Sequence, residues 1–143
     1  MNKLHIKKVH DKNDLEKTII IRKKVFIDEQ KVPVDIEIDG FDSEAEHFIS
    51  YLDNKPIGCA RIRSKDYKAK LERIAIIKEF RGKGFGSELT KFLIKYLKNK
   101  NFKKIYLHSQ INVSDFYKKL GFRAKRKHFF EAGIEHVEMI MKI

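Results

Sequence analysis

Apolar positions along the chain recur with two spacings, and these spacings predict alternating strands and helices. Recurrence at every second residue is typical of a strand, and recurrence at every third or fourth residue is typical of a helix. Strands are predicted over about residues 4–9, 47–52, 57–62, 70–77, 104–107, 122–130 and 136–143, and helices over about residues 15–26, 86–99 and 114–120. The order β-α-β-β-β-α-β-α-β-β predicts an α/β fold in which a mixed sheet carries helices on both faces.

Polar residues mark the start and the end of the first helix. Asn13 or Asp14 can cap it, because short polar side chains accept hydrogen bonds from the free amides of the first turn. Pro33 and the acid-rich segment that follows, up to about Glu44, interrupt the helical pattern. We predict a loop there, with or without a short helical turn, over one flank of the domain.

Length and composition predict a single domain over residues 1–143. The 11 Phe and only 2 Pro give more apolar surface than a disordered chain carries. No apolar run reaches the ~18 residues of a membrane span, and the first ten residues do not resemble a signal peptide, so we expect a cytoplasmic protein that does not bind membranes. Cys59 is the only cysteine, and its apolar neighbours favour a packed thiol over a reactive one.

The formal net charge of +12 is unevenly distributed. Residues 28–46 hold eight acidic residues and one basic residue, a net charge of −7, which leaves +19 for the rest of the chain. A basic surface is one property of a nucleic-acid-binding module, because Lys and Arg neutralise phosphates. However, 25 of the 32 basic residues are Lys, which is typical of solvated surfaces, and only seven are Arg. Nucleic acid is therefore the less favoured partner.

The segment Arg-Gly-Lys-Gly-Phe-Gly at residues 81–86 lies between a predicted strand and the longest predicted helix. Its alternating glycines allow successive backbone N–H groups to converge, and the helix that follows adds its positive end. Such a turn can hold a pyrophosphate, and the basic residues Arg81 and Lys83 favour this over an empty turn. The spacing differs from the GxGxxG dinucleotide pattern and from a Walker A loop.

This segment resembles motif A of the GNAT N-acetyltransferases, whose turn holds the pyrophosphate of acetyl-coenzyme A. Residues 116–122, Phe-Tyr-Lys-Lys-Leu-Gly-Phe, resemble motif B of the same family, and residues 25–33, 71–73 and 131–136 are similar to its ElaA- and YjcF-like branch. The resemblance covers essentially the whole chain. It implies the α+β acyl-CoA N-acyltransferase fold, with a mostly antiparallel sheet. It also implies transfer of the acetyl group of acetyl-CoA to a primary amine by direct attack in a ternary complex, without a metal.

The resemblance also implies where the cofactor binds. Backbone groups of Ile74 and Ile76 would pair with the pantetheine arm, in a slot between the strands that end at Ile77 and Leu107, and residues 81–87 would hold the phosphates. The cofactor-binding residues expected from the family motifs are Ile74, Ala75, Ile76, Arg81, Gly82, Lys83, Gly84, Phe85, Gly86, Ser87, Gln110, Asn112, Phe116 and Lys119.

One position departs from the family pattern. Gln110 stands where many members carry Asn, and Asn112 lies nearby. Both side chains offer an amide to the cofactor, and the sequence does not choose between them.

Tyr117 and Glu72 are the main candidates for proton transfer, and Glu29 and His47 are weaker candidates for the base. A mechanism that relies on positioning, without a dedicated base, is a further alternative. Tyr117 matches the family residue that reaches the coenzyme A sulfur and is the candidate general acid; the alternative is a packing role on a short helix. Glu72 is the candidate base, because strand alternation places it on the same side as Ile74 and Ile76. The alternative for Glu72 is an ion pair with an arginine, of which Arg61, Arg63 and Arg73 are near in sequence.

The acceptor is expected to be a small-molecule or peptide amine. Its candidate contacts are Glu29, Gln30, Asp39 and His47, and a free acidic patch over residues 28–46 would attract a cationic amine. His108 precedes Ser109, but no hydrolase triad spacing accompanies them, so His108 is interpreted as structural. Homodimers are common in the family. A non-catalytic acyl-CoA sensor and a nucleic-acid-binding module are the alternative functions.

Overall fold

The computed structural model describes residues 3–143, and this part of the chain forms one seven-stranded sheet with four α-helices. The strands are β1 (Leu4–Lys8), β2 (Glu46–Leu52), β3 (Lys55–Lys65), β4 (Lys68–Ile76), β5 (Lys104–Gln110), β6 (Arg123–Glu131) and β7 (Ile134–Lys142). The helices are α1 (Lys12–Arg22), which continues as a π-helix over Lys23–Glu29, α2 (Val34–Glu37), α3 (Phe85–Asn99) and α4 (Ser114–Lys119).

The strand order across the sheet is β1-β2-β3-β4-β5-β7-β6. All neighbouring strands are antiparallel except β4 and β5, which are parallel. The fold prediction is confirmed: the sheet is mixed, mostly antiparallel and combined with helices. The predicted loop after the first helix contains the short helix α2 and a 3₁₀ turn at Asp42–Glu44.

Helices pack on both faces of the sheet. On one face α3 buries Leu89, Leu93 and Leu97 completely, at the spacing that the sequence showed. On the other face α1 and its π-helical continuation place Ile21 and Val25 against β3 and β4. Burial of each such side chain stabilises the fold by roughly 1.5–3 kcal/mol. The central strands are therefore fixed from both sides.

The cap of α1 differs from the prediction. Asp11, not Asn13 or Asp14, accepts the hydrogen bond from the first turn, with its Oδ1 2.7 Å from the Asp14 amide nitrogen. The Asp14 side chain is buried and accepts instead from Lys7 at 2.8 Å and from the Tyr51 hydroxyl at 2.5 Å. The Asp14 carboxylate therefore binds Lys7 and Tyr51 and does not cap α1, although its position in the sequence suits a cap.

The parallel strands β4 and β5 separate part-way along their length. Their pairing runs from Lys68 and Lys104 to Leu71 and Leu107 and ends there. Beyond this point the edge of β4 that faces β5 has no strand partner within the described residues, while its other edge stays paired with β3. The slot predicted between these two strands is present.

A β-bulge interrupts β4 just where the slot opens. Ala60 of β3 lies opposite two β4 residues, Arg73 and Ile74, and Arg73 takes a φ of 53°. A bulge shifts the side-chain alternation by one residue. As a result Glu72 lies on the α1 face with Arg61, whereas Ile74 packs on the α3 face. The prediction that Glu72 and Ile74 share one face is wrong for this reason.

Candidate active site

A cavity of about 660 Å³ occupies the slot and crosses the sheet between β4 and β5. It begins at the glycine turn before α3, passes the separated strands, and ends on the α1 face near the start of β7. Of the predicted cofactor-binding residues, those that line it are Ile74, Ala75, Ile76, Arg81, Gly82, Gly84, Phe85, Gly86, Ser87, Gln110 and Phe116. We call its far end, bounded by Gln30, His108, Gln110, Glu131 and His136, the distal chamber.

The glycine turn leaves backbone amides free at the start of α3. Gly82 and Gly84 have φ values of 76° and 86°, a region that costs an L-residue with a side chain roughly 1–2 kcal/mol. Gly84 caps α3 without a side-chain hydrogen bond, so the first amides of this 15-residue helix have no side-chain cap. Free amides and the helix dipole together favour an anion at this position.

Arg81 is fixed at the edge of the glycine turn. Its Nε donates to the Ile76 carbonyl at 2.8 Å, and its two Nη atoms bind Glu29 at 2.5 and 2.8 Å. The hydrogen bond from Arg81 lowers the pKa of Glu29. Glu29 does not line the cavity, so the prediction that it contacts the acceptor is not supported; it orients Arg81 instead.

Three predicted cofactor residues lie off the cavity wall: Lys83, Asn112 and Lys119, all of them exposed. The Lys83 ammonium lies 5.9 Å from the centroid of the Phe80 ring. Gln110 does line the cavity, and its Nε2 donates to the Gln30 side chain at 3.0 Å. Between the two amides that the sequence left open, the structure therefore places Gln110 at the site.

Tyr117 has the packing role that the sequence offered, and it also reaches the cavity. Its ring packs against Phe116 and Phe122, with centroid distances of 5.0 and 5.8 Å, and it also lines the cavity. Burial raises the pKa of its phenol to about 12. The phenol therefore keeps its proton at neutral pH, as a general acid must.

Glu72 is held by three cations. Its carboxylate lies 2.9 Å from Arg61 Nη2, 2.6 Å from Arg63 Nε and 3.2 Å from Lys70 Nζ. Burial acts to raise its pKa, but the hydrogen bond from Arg63 and the charges of Arg61 and Lys70 outweigh it and lower the pKa to about 2. Such a carboxylate does not take a proton from an ammonium at neutral pH. The structure supports the ion-pair alternative, with Arg61 and Arg63 but not Arg73.

The acidic segment 28–46 is largely neutralised within the fold. Five of its eight carboxylates form ion pairs: Glu29 with Arg81, Glu37 with Arg22 and Arg73, Asp39 with Arg61 and Arg73, Asp42 with Arg22 and Arg61, and Glu46 with Lys8. The prediction of a free acidic patch is therefore wrong, because the segment folds over the buried arginines of α1 and β3.

Two further acceptor candidates from the sequence are engaged in this network and lie off the cavity. Asp39 binds Arg61 at 2.8 Å, which contributes to lowering its pKa although burial acts the other way. His47 is buried, with its Nε2 2.9 Å from the Asp42 carbonyl. Gln30 is the one of the four predicted contacts that lines the distal chamber.

Sequence reasoning missed three residues of the distal chamber: His108, Glu131 and His136. The pairing of β5 with β7 and of β7 with β6 places all three on the α1 face. His108 Nδ1 lies 2.6 Å from Glu131, and His136 Nδ1 lies 2.7 Å from the Ile134 carbonyl. The signal in the sequence was segment 131–136, which is similar to the ElaA- and YjcF-like branch. This segment begins with Glu131 and ends with His136, and neither residue was given a chemical role.

The Cys59 thiol is buried, and burial raises its pKa to about 12. It is therefore packed and unreactive, as the sequence predicts. Within residues 3–143, no helix is both long and apolar enough to span a membrane.

Comparison with known proteins fits this architecture. Residues 11–143 match the family model for the acetyltransferase (GNAT) domain. The chain belongs to the GNAT acetyltransferase family. As a GNAT protein it is an acyltransferase, which agrees with the family resemblance of motifs A and B.

Two relatives of this GNAT protein come from Bacillus subtilis. YjcF, an uncharacterized N-acetyltransferase, is 38% identical over 138 residues, which cover 94% of this chain and 99% of YjcF. The uncharacterized protein YyaT is 37% identical over 143 residues, covering 98% and 97% of the two chains.

Solved structures share the fold of this GNAT protein. Escherichia coli ElaA has a TM-score of 0.86 at 23% identity, covering 96% of this chain and 99% of ElaA. A GNAT acetyltransferase from Elizabethkingia anophelis, solved with acetyl-CoA bound, has a TM-score of 0.72 at 19% identity and covers 98% of each chain.

Proposed function

We propose that this enzyme transfers the acetyl group of acetyl-CoA to a primary amine by direct attack within a ternary complex. The observation that supports this most is the continuity of the cavity, which joins an anion-binding turn, an unpaired strand edge and a polar chamber across one sheet. A donor and an acceptor that enter from opposite ends would meet between β4 and β5. The single cysteine is buried and stays protonated, which argues against a thiol acyl-enzyme.

The glycine turn fits the phosphates of coenzyme A. The free amides after Gly82 and Gly84 would hold the pyrophosphate, and Ser87 and Arg81 line the same end of the cavity. Arg81 is pre-oriented by Glu29 and by the Ile76 carbonyl, so little side-chain freedom would be lost on binding.

The open edge of β4 fits the pantetheine arm. Beyond Leu71 the backbone groups of Ile74 and Ile76 that face β5 have no strand partner in the part of the chain that the structure describes. An extended amide-containing chain can add to such an edge as an extra strand. The bulge at Arg73 bends β4 at this point. The coenzyme would supply the activated thioester; the protein supplies its orientation and a proton.

Tyr117 would give its phenol proton to the thiolate as the carbon–sulfur bond breaks. The raised pKa keeps this proton in place until the thiolate forms.

The acceptor would be a small-molecule or peptide amine bound in the distal chamber. A cytoplasmic location, which the sequence predicts, belongs to this proposal, and so does the homodimer that is common in the family.

The direct test is release of free thiol from acetyl-CoA with a panel of amines at pH 8. The panel should contain polyamines, amino sugars, simple amines, and peptides with a free N-terminus or lysine. We expect thiol release that depends on one class of amine, with matching formation of the acetylated product.

Binding measurements separate the alternatives. Acetyl-CoA and coenzyme A should raise the melting temperature, whereas plasmid DNA should not. Binding of acetyl-CoA without thiol release from any amine would indicate a sensor. A shift with DNA alone would indicate a nucleic-acid-binding module, and no shift with either form of the coenzyme would refute the acetyltransferase proposal.

A further inference from the structure

Because Glu72 is held in ion pairs, another group must take the proton from the attacking ammonium. The titratable groups on the cavity wall are Lys70, Glu72, Arg73, Arg81, His108, Tyr117, Glu131 and His136. A base must be unprotonated, must have a free lone pair, and must face the acceptor side of the slot.

The cationic side chains on the wall are bound to carboxylates and have no lone pair to offer. Lys70 contacts Glu72 at 3.2 Å, and Arg73 Nε lies 2.5 Å from Glu37. Arg81 lies at the opposite end of the cavity with Glu29. Tyr117 keeps its proton because burial raises its pKa to about 12.

His108 and Glu131 form a pair. His108 Nδ1 lies 2.6 Å from the Glu131 carboxylate, and its Nε2 lies 3.5 Å from Glu138. Both ring nitrogens of His108 therefore lie next to carboxylate oxygens of the protein, whereas a base needs a nitrogen that is left open to the acceptor amine. The hydrogen bond from His108 lowers the pKa of Glu131, which makes this carboxylate a poor base.

His136 is the remaining group, and its geometry suits a base. Its Nδ1 lies 2.7 Å from the Ile134 carbonyl, which can only accept, so Nδ1 carries a hydrogen. In the neutral ring the lone pair is then on Nε2, which forms no hydrogen bond within residues 3–143. The residue is only 8% exposed and lines the cavity.

The ring of His136 is also held in position. Phe129 stacks on it with a centroid distance of 6.0 Å and an interplanar angle of 23°. The backbone register pairs His136 with Gln110, at the end of β5 that borders the slot. Glu131 on β6, His108 on β5 and Glu138 on β7 share the α1 face with it. Two cations reach the same groups: the charge of Lys70 acts on Glu131, and Lys125 binds Glu138 at 2.8 Å.

We infer that His136 is the general base that takes the proton from the acceptor ammonium. This inference rests on the proposed acetyl transfer. The ammonium gives one proton to His136 Nε2, which passes it to solvent, and the neutral nitrogen attacks the thioester carbon. The carbon–sulfur bond breaks, Tyr117 protonates the thiolate, and the surplus proton of the new amide nitrogen returns through water to the Tyr117 phenolate. One proton is released per turnover.

His136→Asn is the informative substitution. The Asn side-chain amide can still donate to the Ile134 carbonyl, but it has no basic nitrogen. We expect kcat/KM for the amine to fall about 10²-fold. The pH profile should change, because without the base only amine that has already lost its proton in solution can react, and the rate then follows the free-amine fraction. The dissociation constant of acetyl-CoA, measured by calorimetry, should stay within about twofold. His128→Asn is the matched control: this exposed β6 histidine does not line the cavity and should leave the rate unchanged.

A second variant, His136→Ala, distinguishes loss of the base from a folding defect. It should be inactive, and added imidazole should restore activity in proportion to the unprotonated fraction of imidazole. Wild-type turnover together with an unchanged rate and pH profile in His136→Asn would overturn the inference and leave acetyl transfer standing. A wild-type enzyme that releases no thiol with any amine would overturn both. Loss of activity without imidazole rescue, or with weakened acetyl-CoA binding, would reduce His136 to a structural residue.

Discussion

Replacement of Glu72 by Gln separates a structural role from a catalytic one. Glu72 bridges Arg61, whose side chain is fully buried, to Arg63 and Lys70. The folded state lowers the pKa of this carboxylate from 4.5 to about 2. A difference of that size corresponds to ~3 kcal/mol of folding free energy at neutral pH. Glu72→Gln should lower the free energy of unfolding by about this amount, and Arg61 would keep Asp39 and Asp42 as partners.

The sign of the pH dependence follows from the lowered pKa. A carboxylate whose pKa falls on folding contributes stability above its unfolded pKa of 4.5, and the contribution is lost as the pH falls from 4.5 towards 2. The difference between wild type and Glu72→Gln should therefore be constant at neutral pH and shrink below pH 4.5. Urea unfolding at several pH values, followed by circular dichroism, measures it.

The control for this experiment is Glu44→Gln, since Glu44 is an exposed acid of the same charged region. We expect its free energy of unfolding to change by less than about 0.5 kcal/mol. A Glu72→Gln variant that is as stable as wild type yet loses amine acetylation at neutral pH would contradict the ion-pair role, because that pattern belongs to a base.

Three further substitutions test the other parts of the site. Tyr117→Phe should lower kcat about 10²-fold without weakening acetyl-CoA binding, and an unchanged kcat would contradict the acid role. Because the phenol pKa is about 12, the wild-type rate should show no loss from phenol ionisation below about pH 10. Gly84→Ala should lower the free energy of unfolding by roughly 1–2 kcal/mol, because its φ is 86°, and should also weaken acetyl-CoA binding as measured by calorimetry. The control is Gly40→Ala, which shares the positive φ but lies far from the turn in sequence. Glu29→Gln frees Arg81 and should weaken acetyl-CoA binding severalfold with little change in the KM of the amine; an effect confined to the amine would return Glu29 to the acceptor site.

Local rules predicted much of the framework. The three- and four-residue spacing of Leu89, Leu93 and Leu97 reflects one buried face of α3, and nothing distant in sequence was needed to see it. The glycine turn is local too, because the positive φ values of Gly82 and Gly84 are a property of two adjacent peptide units. The glycine turn, together with residues 116–122, carried the family resemblance, which the match over residues 11–143 confirms.

Non-local pairing decided what the side chains do. Strand alternation placed Glu72 beside Ile74, but the bulge opposite Ala60 turned Glu72 to the other face. Such a bulge arises from the match between two strands, and one strand read alone does not contain it. The −7 segment looked like a free patch, because a sequence does not show that buried arginines lie beneath it.

The sequence by itself determined the strands, the two main helices and the glycine turn, since each depends on periodicity or on backbone freedom over a few residues. Only the tertiary structure decided which titratable groups keep a free lone pair. His108, Glu131 and His136 come from three strands that meet through the order β5-β7-β6, and within residues 3–143 their hydrogen bonds leave Nε2 of His136 unbonded. Proton-transfer roles depend on such contacts and on burial, and the chain acquires both only when distant strands pair.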